Sequence, residues 1–306
     1  MQTILGSSGQ IAIELAKALK ANFSDDIRLV SRNPHKVNDT DTLFRANLLD
    51  AAQTDNAVQG SEIAYLTVGL PMDTKLWEQQ FPVMMKHVIT ACQKYQVKLV
   101  FFDNTYMYPQ DNRIQTEDIP FEPVGRKGRV RAQIANMLLH QIAAGNVNGV
   151  ICRAPEFYGP GKTQSITNTL IFDKIRTHKT LRVMLRDDTN RSLIWTPDAA
   201  RATALIGNTP AAFNQTWHLP CTQPITYKSL IKLAEEIYGR PLPYSIIPKW
   251  LVNTGAVFSK QLKELQELLP RYTTDNYFDS TKFQLRFPDF HITDYKEGVS
   301  QLKRAS

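Results

Sequence analysis

Cysteine is scarce in this chain: three residues in 306, Cys92, Cys152 and Cys221. They lie far apart and share no CxxC or Cys/His spacing, so neither a zinc site nor a disulfide framework is indicated, and a reducing compartment is the default. No apolar run approaches the roughly 20 residues that a membrane span needs, and the N-terminus enters a folded pattern at once, without a signal peptide. The expectation is a cytoplasmic protein with no membrane partner. Charge of a single sign is lacking as well, with 36 Lys and Arg against 29 Asp and Glu. The basic residues are dispersed, with neither a basic stripe nor interleaved stacking aromatics, which argues against nucleic acid. One local cluster stands out, Arg126-Lys127-Gly128-Arg129-Val130-Arg131, and it suits an anionic small molecule. His87, His140, His178, His218 and His291 show no metal-ligand spacing, and no metal is expected.

What the chain does have is alternation. Short apolar runs at 2–5, 27–30, 43–46, 63–68, 99–102 and 150–152 read as strands, and apolar residues at three- and four-residue spacing across 11–20, 76–95 and 129–144 read as helices. Strand–helix repetition of this kind gives a parallel sheet covered on both faces, because parallel neighbours need crossover connections. The fold class is therefore α/β, a Rossmann-type doubly wound parallel sheet. After Arg153 the rhythm changes: Pro155, Pro160 and Gly161 punctuate the chain, and 166–177, 197–206, 226–238 and 250–269 read as helices with Ser, Thr, Asp or Pro near their starts. The reading is a dinucleotide-binding domain over 1–160 and a smaller, mostly helical substrate lobe over 161–306, partly interleaved with the first.

The first strand runs into Gly6-Ser7-Ser8-Gly9-Gln10-Ile11-Ala12 and then a helix. In that context Gly6 permits the tight turn, and Gly9 lets the backbone approach a pyrophosphate. The helix N-terminus presents free N–H groups and partial positive charge to the phosphates, and Ser7 and Ser8 add hydroxyls. Ala12 is small enough for close helix–strand packing. The second strand ends at Ser31-Arg32-Asn33, where an acidic residue would bind a free ribose 2′-hydroxyl. Arg32 instead offers a fork to a 2′-phosphate, which favours NADP(H) over NAD(H); a solvated arginine at a strand end is the alternative. Asn47 and Leu48 follow the third strand beside the adenine. Thr67, Val68 and Gly69 follow the fourth, where a glycine lets the cofactor pass closely.

These motifs make the chain resemble the extended and atypical short-chain dehydrogenase/reductases, in particular the NAD-dependent epimerase/dehydratase group that acts on sugar nucleotides. The resemblance covers almost the full length. It rests on Gly6-x-x-Gly9-x-x-Ala12, on Arg153-Ala154-Pro155-Glu156-Phe157-Tyr158-Gly159-Pro160-Gly161, and on Phe278-Asp279-Ser280-Thr281-Lys282. It implies that Pro155 lies beside the cofactor, that Glu156 and Tyr158 face the substrate, and that Arg191 stands where such enzymes hold a substrate diphosphate.

The family's active-site signature is altered. A Ser or Thr after the fifth strand is replaced by Asn104, which still hydrogen-bonds a substrate oxygen. The Tyr-x-x-x-Lys pair on the next helix has no match. One register puts Lys127 and Arg131 at the two positions, and the other puts Val124 and Gly128 there. The first is preferred, because residues i and i+4 share a helical face. Cations in the first turn of a helix oppose its dipole, so Arg126, Lys127 and Arg129 call for an anion, a phosphate or carboxylate, with a solvated basic helix end as the alternative. If the site is catalytic, Lys127 is the expected acid/base group, and Tyr106 or Tyr108 are other candidates for the lost tyrosine's role. The functional expectation is an NAD(P)-dependent oxidoreductase or epimerase-like enzyme for an anionic small molecule such as a nucleotide sugar, working as a monomer or homodimer. The alternative is a catalytically inactive NADP(H)-binding sensor or regulatory protein.

Overall fold

The computed structural model describes residues 1–161, 163 and 165–305. Through the first half, strands and helices alternate as β1 (Gln2–Leu5), α1 (Gln10–Asn22), β2 (Ile27–Ser31), β3 (Thr42–Arg45), α2 (Ala51–Val58), β4 (Ile63–Leu66), α3 (Thr74–Tyr95), β5 (Lys98–Asp103), α4 (Arg126–Ala143) and β6 (Gly149–Arg153). The six strands pair in parallel in the order β3-β2-β1-β4-β5-β6, and a seventh, Thr216–His218, adds to β6. This is the doubly wound α/β sheet that the alternation implies.

The inner strands are mostly apolar because both faces are covered, and period-two alternation sends successive residues to opposite cores; the edge strand β3 is largely exposed. Ile4, Leu29, Tyr65, Val100 and Cys152 pack under α1 and a later helix, Thr196–Gly207, in one cluster. Leu5, Val30, Ala64, Phe101 and Ile151 pack under α2, α3 and α4 in another. The strand order reverses between β1 and β4, and the crevice beyond their carboxyl ends is where open α/β sheets take ligands.

A third cluster, from Tyr158 to Leu302, draws on residues after β6 alone. It includes three small pairings: Glu156–Tyr158 with Leu193–Trp195, Asn190–Arg191 with Ile225–Thr226, and Leu181–Met184 with Tyr244–Ile247. Two helices there depart from expectation. The stretch 250–269 is broken at Ser259, whose extended backbone ends Lys249–Phe258 and whose hydroxyl caps Lys260–Gln266 by accepting from Leu262 N. The stretch 166–177 contains a π-helical turn, Asn168–Phe172. Among the described residues no helix is long and apolar enough to cross a membrane.

Candidate active site

The turn after β1 is shaped by two glycines that do different things. Gly6 has φ +97°, and a Cβ there would stand 2.7–2.9 Å from Val68 at the end of β4, so both the backbone and the packing require glycine. Its N–H and that of Ser7 donate to Val30 O at 2.9 and 3.0 Å, which ties the turn to β2. Gly9 has an ordinary φ of −84°, and a Cβ there would meet nothing nearer than Gly6 O at 3.8 Å. Nothing in the protein forbids a side chain at Gly9, and its bare face opens onto the cleft. Gly9 also caps α1 without a side-chain acceptor, and the first turn of α1 holds no acidic residue. A helix start left in this condition is a ready anion site. The buried Ser7 hydroxyl, next to it, has no hydrogen-bond partner among the described residues.

A cleft of about 630 Å³ runs from this turn along the carboxyl ends of the strands. Of the residues expected to hold a cofactor, Gly6, Ser8, Gly9, Gln10, Ile11, Arg32, Asn47, Leu48, Thr67, Val68, Gly69 and Pro155 all line it; Ser7 lies buried under the turn instead. Arg32 is exposed at the mouth of the cleft, and no ion-pair or hydrogen-bond partner holds its guanidinium among the described residues. Gly161, with φ +74°, brings the Pro160 segment against α1: a Cβ there would lie 3.1 Å from Gln10 Oε1.

The other end of the cleft gathers Asn104, Thr105, Tyr106, Arg131, Glu156, Arg271 and Tyr272. Asn104 is held by its own turn, where its Oδ1 accepts from Tyr106 N at 3.0 Å. Arg131 is fixed by the buried Asp103, whose Oδ1 accepts from Arg131 Nε at 2.9 Å and also from Nη2. Arg153 lies on the other oxygen of the same carboxylate, at 3.4 Å. Tyr106 stacks on Trp77 with ring centroids 6.0 Å apart, and the Arg271 guanidinium sits 5.0 Å from the Tyr106 ring centre. Burial raises the Tyr106 pKa above that of an ordinary tyrosine, against the opposing charge of Arg271.

Lys127 is not where an acid/base group would have to be. It is fully buried, and its ammonium donates to Thr74 Oγ1 at 2.8 Å, to Glu264 O at 2.9 Å and to Glu264 Oε2 at 2.6 Å, away from the cleft lining. The backbone N–H groups of Lys127 and Gly128 donate to Glu267 Oε1 at 2.6 and 3.3 Å. The anion that the basic helix start calls for is therefore the protein's own: Glu264 and Glu267 answer Lys127, and Glu78 pairs with Arg126. Gly125 serves this junction, since a Cβ there would collide with the Glu267 side chain, and Gly128 lets the helix pass close to Tyr106 O, 2.5 Å from where a Cβ would stand.

Tyr108 is corrected in the same way. It is buried, and its hydroxyl oxygen accepts a hydrogen bond from Arg153 Nη1 at 2.6 Å. Burial pushes its pKa up to about 12 and holds His218 well below the usual histidine value, so His218 is neutral. His218 Nδ1 donates to Asp279 O at 2.7 Å, which leaves Nε2 to accept from the Tyr108 hydroxyl at 2.6 Å. This closed relay lies outside the cleft. Tyr158 is buried in the third cluster, and Arg191 is locked behind the cleft wall, donating to Glu156 Oε2 at 2.9 Å and to Arg271 O. Glu156 also accepts from Thr167, Tyr227 and Tyr272. Burial would raise its pKa, but the Arg191 charge and these donors bring the net value below that of an ordinary carboxylate. Arg271 and Tyr272 carry no signal in the sequence, and Glu264 and Glu267 fall in the stretch 250–269, which reads there only as a helix.

Fold and cleft together define a doubly wound α/β protein with a cleft along the carboxyl ends of its sheet strands. A family model, the NAD dependent epimerase/dehydratase family, matches residues 3–218, and the chain belongs to that family. It is 28% identical over 167 residues to the Uncharacterized protein y4nL of Sinorhizobium fredii, covering 53% of this chain and 46% of the relative, so the match spans about half of that protein's length. Among solved structures it resembles UDP-glucuronic acid 4-epimerase from Bacillus cereus in complex with NAD, with TM-score 0.78, 14% identity and 99% of each chain covered. It also resembles DesIV, a dTDP-glucose 4,6-dehydratase from Streptomyces venezuelae with NAD bound, with TM-score 0.77, 13% identity, and 100% and 96% of the two chains covered.

Proposed function

We propose that the chain binds a nicotinamide dinucleotide, NADP(H) ahead of NAD(H), and acts as an oxidoreductase or epimerase-like enzyme on an anionic small molecule. Residues 1–160 form the cofactor domain in this reading, and 161–306 a substrate lobe interleaved with it. The observation that carries the reading is the start of α1, uncapped and acid-free, with an open glycine face above it. A bound nicotinamide supplies or accepts the hydride. The chain's part is orientation and proton exchange. Asn104 holds a substrate oxygen, Arg131, steadied by Asp103, presents a fixed positive charge, and the Tyr106 phenol, which lines the same end of the cleft, donates a proton in place of the family's helix tyrosine. The reading of Arg32 as a 2′-phosphate contact is supported by its exposure and lack of a carboxylate partner among the described residues, while the two structural neighbours carry NAD.

Fluorescence titration with NADPH and NADH tests cofactor binding, and a panel of small carbonyl compounds and nucleotide sugars tests turnover. Tyr106→Phe is expected to lower kcat by roughly 10²–10⁴-fold with cofactor affinity and melting temperature unchanged. A second reading, a sensor that binds without turnover, is favoured by the sequestration of Lys127 in a structural ion pair. Tight NADPH binding with no consumption across the panel would decide for it.

A further inference from the structure

The cations around the inner end of the cleft differ in how they are neutralised. Arg131 has its Nε and Nη2 on Asp103. Arg153, beneath it, reaches the same carboxylate and gives Nη1 to Tyr108. Arg191 has Nε and Nη2 on Glu156 and Nη1 on Arg271 O. Arg271 alone among these four has no carboxylate partner among the described residues. It is 7% exposed and lines the cleft, and among the described residues its side chain donates once, from Nη2 to Thr105 Oγ1 at 2.8 Å. A guanidinium carries five N–H donors, and the nearest balancing charge that Arg271 feels, the Glu156 carboxylate, is already paired directly with Arg191. No lysine lines the cleft among the described residues.

The geometry points to Arg271 as the receptor for a single carboxylate of the substrate, which makes the substrate a compact monocarboxylic acid and not a molecule held by a diphosphate. This rests on reading the inner cleft as the substrate end. A carboxylate matches the guanidinium fork with two parallel hydrogen bonds, and the Thr105 hydroxyl and Tyr106 ring already fix the fork's plane. A diphosphate carries more charge than one free guanidinium balances, and Arg191, the residue that would supply a second cation, is committed to Glu156 behind the wall.

The test is ligand-observed saturation-transfer NMR on NADPH-loaded protein, with NADPH fluorescence followed in the same sample. The probes are a set of 2-oxo acids, hydroxy acids and sugar acids, each paired with its primary amide, and UDP. The expected result is an acid preferred over its amide by roughly tenfold or more, a preference abolished in Arg271→Gln and partly kept in Arg271→Lys. The proposal is overturned if no acid outcompetes its amide, if the preference survives Arg271→Gln, or if UDP binds in an Arg271-dependent way. Absence of NADPH binding would instead remove the underlying reading of the cleft, and the proposal with it.

Discussion

The helices that begin at Gln10 and Arg126 start alike: each has a glycine cap, no side-chain cap of its own, and no acidic residue in its first turn. They end up differently. At α4, Glu267 arrives from the far end of the chain and accepts from Lys127 N and Gly128 N, while Glu264 closes on the Lys127 ammonium. At α1 no protein side chain fills the corresponding place among the described residues, and the glycine that leaves it open is not needed by the backbone. Local sequence grammar makes both helix starts hungry for an anion. Only the rest of the fold decides which is met internally, as a structural junction, and which is left for a ligand.

The comparison breaks most visibly at its glycines. Gly6→Val forces a branched side chain into a left-handed backbone and into Val68, and the two effects together are expected to cost about 4 kcal/mol, read as a large drop in the urea midpoint. Gly9→Ala should change stability by less than about 1 kcal/mol, yet lower NADPH affinity by roughly tenfold or more, because its methyl fills space that is open in the protein alone. If both variants lose stability equally, the α1 start is not a ligand site of the kind described.

Next in size is the filled junction. Lys127→Met leaves the Glu264 carboxylate without its ion partner and should cost about 3 kcal/mol, with Lys127→Met/Glu264→Gln recovering much of the loss. Burial would raise the Glu264 pKa, but the hydrogen bonds from Lys127 and Thr74 and the Lys127 charge bring it below the ordinary value. A carboxyl whose native pKa is depressed contributes stability that is complete above its unfolded pKa, about 4.3, and is lost as pH falls toward the native value. Melting temperatures from pH 6 downward should therefore fall less steeply in Glu264→Gln than in wild type. A kcat loss in Lys127→Met that is not explained by unfolding would return this residue to catalysis.

The sequence made one of these helix starts legible and misled about the other, for reasons of distance along the chain. Gly6–Ala12 and the strands β1 to β6 are readable because turn, run and helix are contiguous, and the sheet buries both faces of the inner apolar runs. The need for an anion at Arg126–Arg131 was also readable. Its source was not, because Glu264 stands 137 residues beyond Lys127, in a stretch that reads only as a helix. Arg191 misled in the same manner, since its partner Glu156 lies on another strand. The seventh strand, Thr216–His218, has three residues, too few for any period to register.

The smallest expected effect sharpens what the open helix start binds. Arg32 follows the carboxyl end of β2, one strand from the α1 turn, where an adenosine ribose would lie if the pyrophosphate sits at Gly9. Its guanidinium is exposed, so a phosphate contact there is partly screened, and its loss is worth about 1 kcal/mol. Arg32→Ala should thus weaken NADPH binding by roughly fivefold while leaving NADH binding unchanged, and the difference should shrink as salt is added. Equal losses for the two dinucleotides would mean that Arg32 acts on something common to both, such as the pyrophosphate. No loss for either would make it a solvated strand-end arginine and leave the 2′ position to be read by the neighbouring Ser31 and Asn33, which also line the cleft.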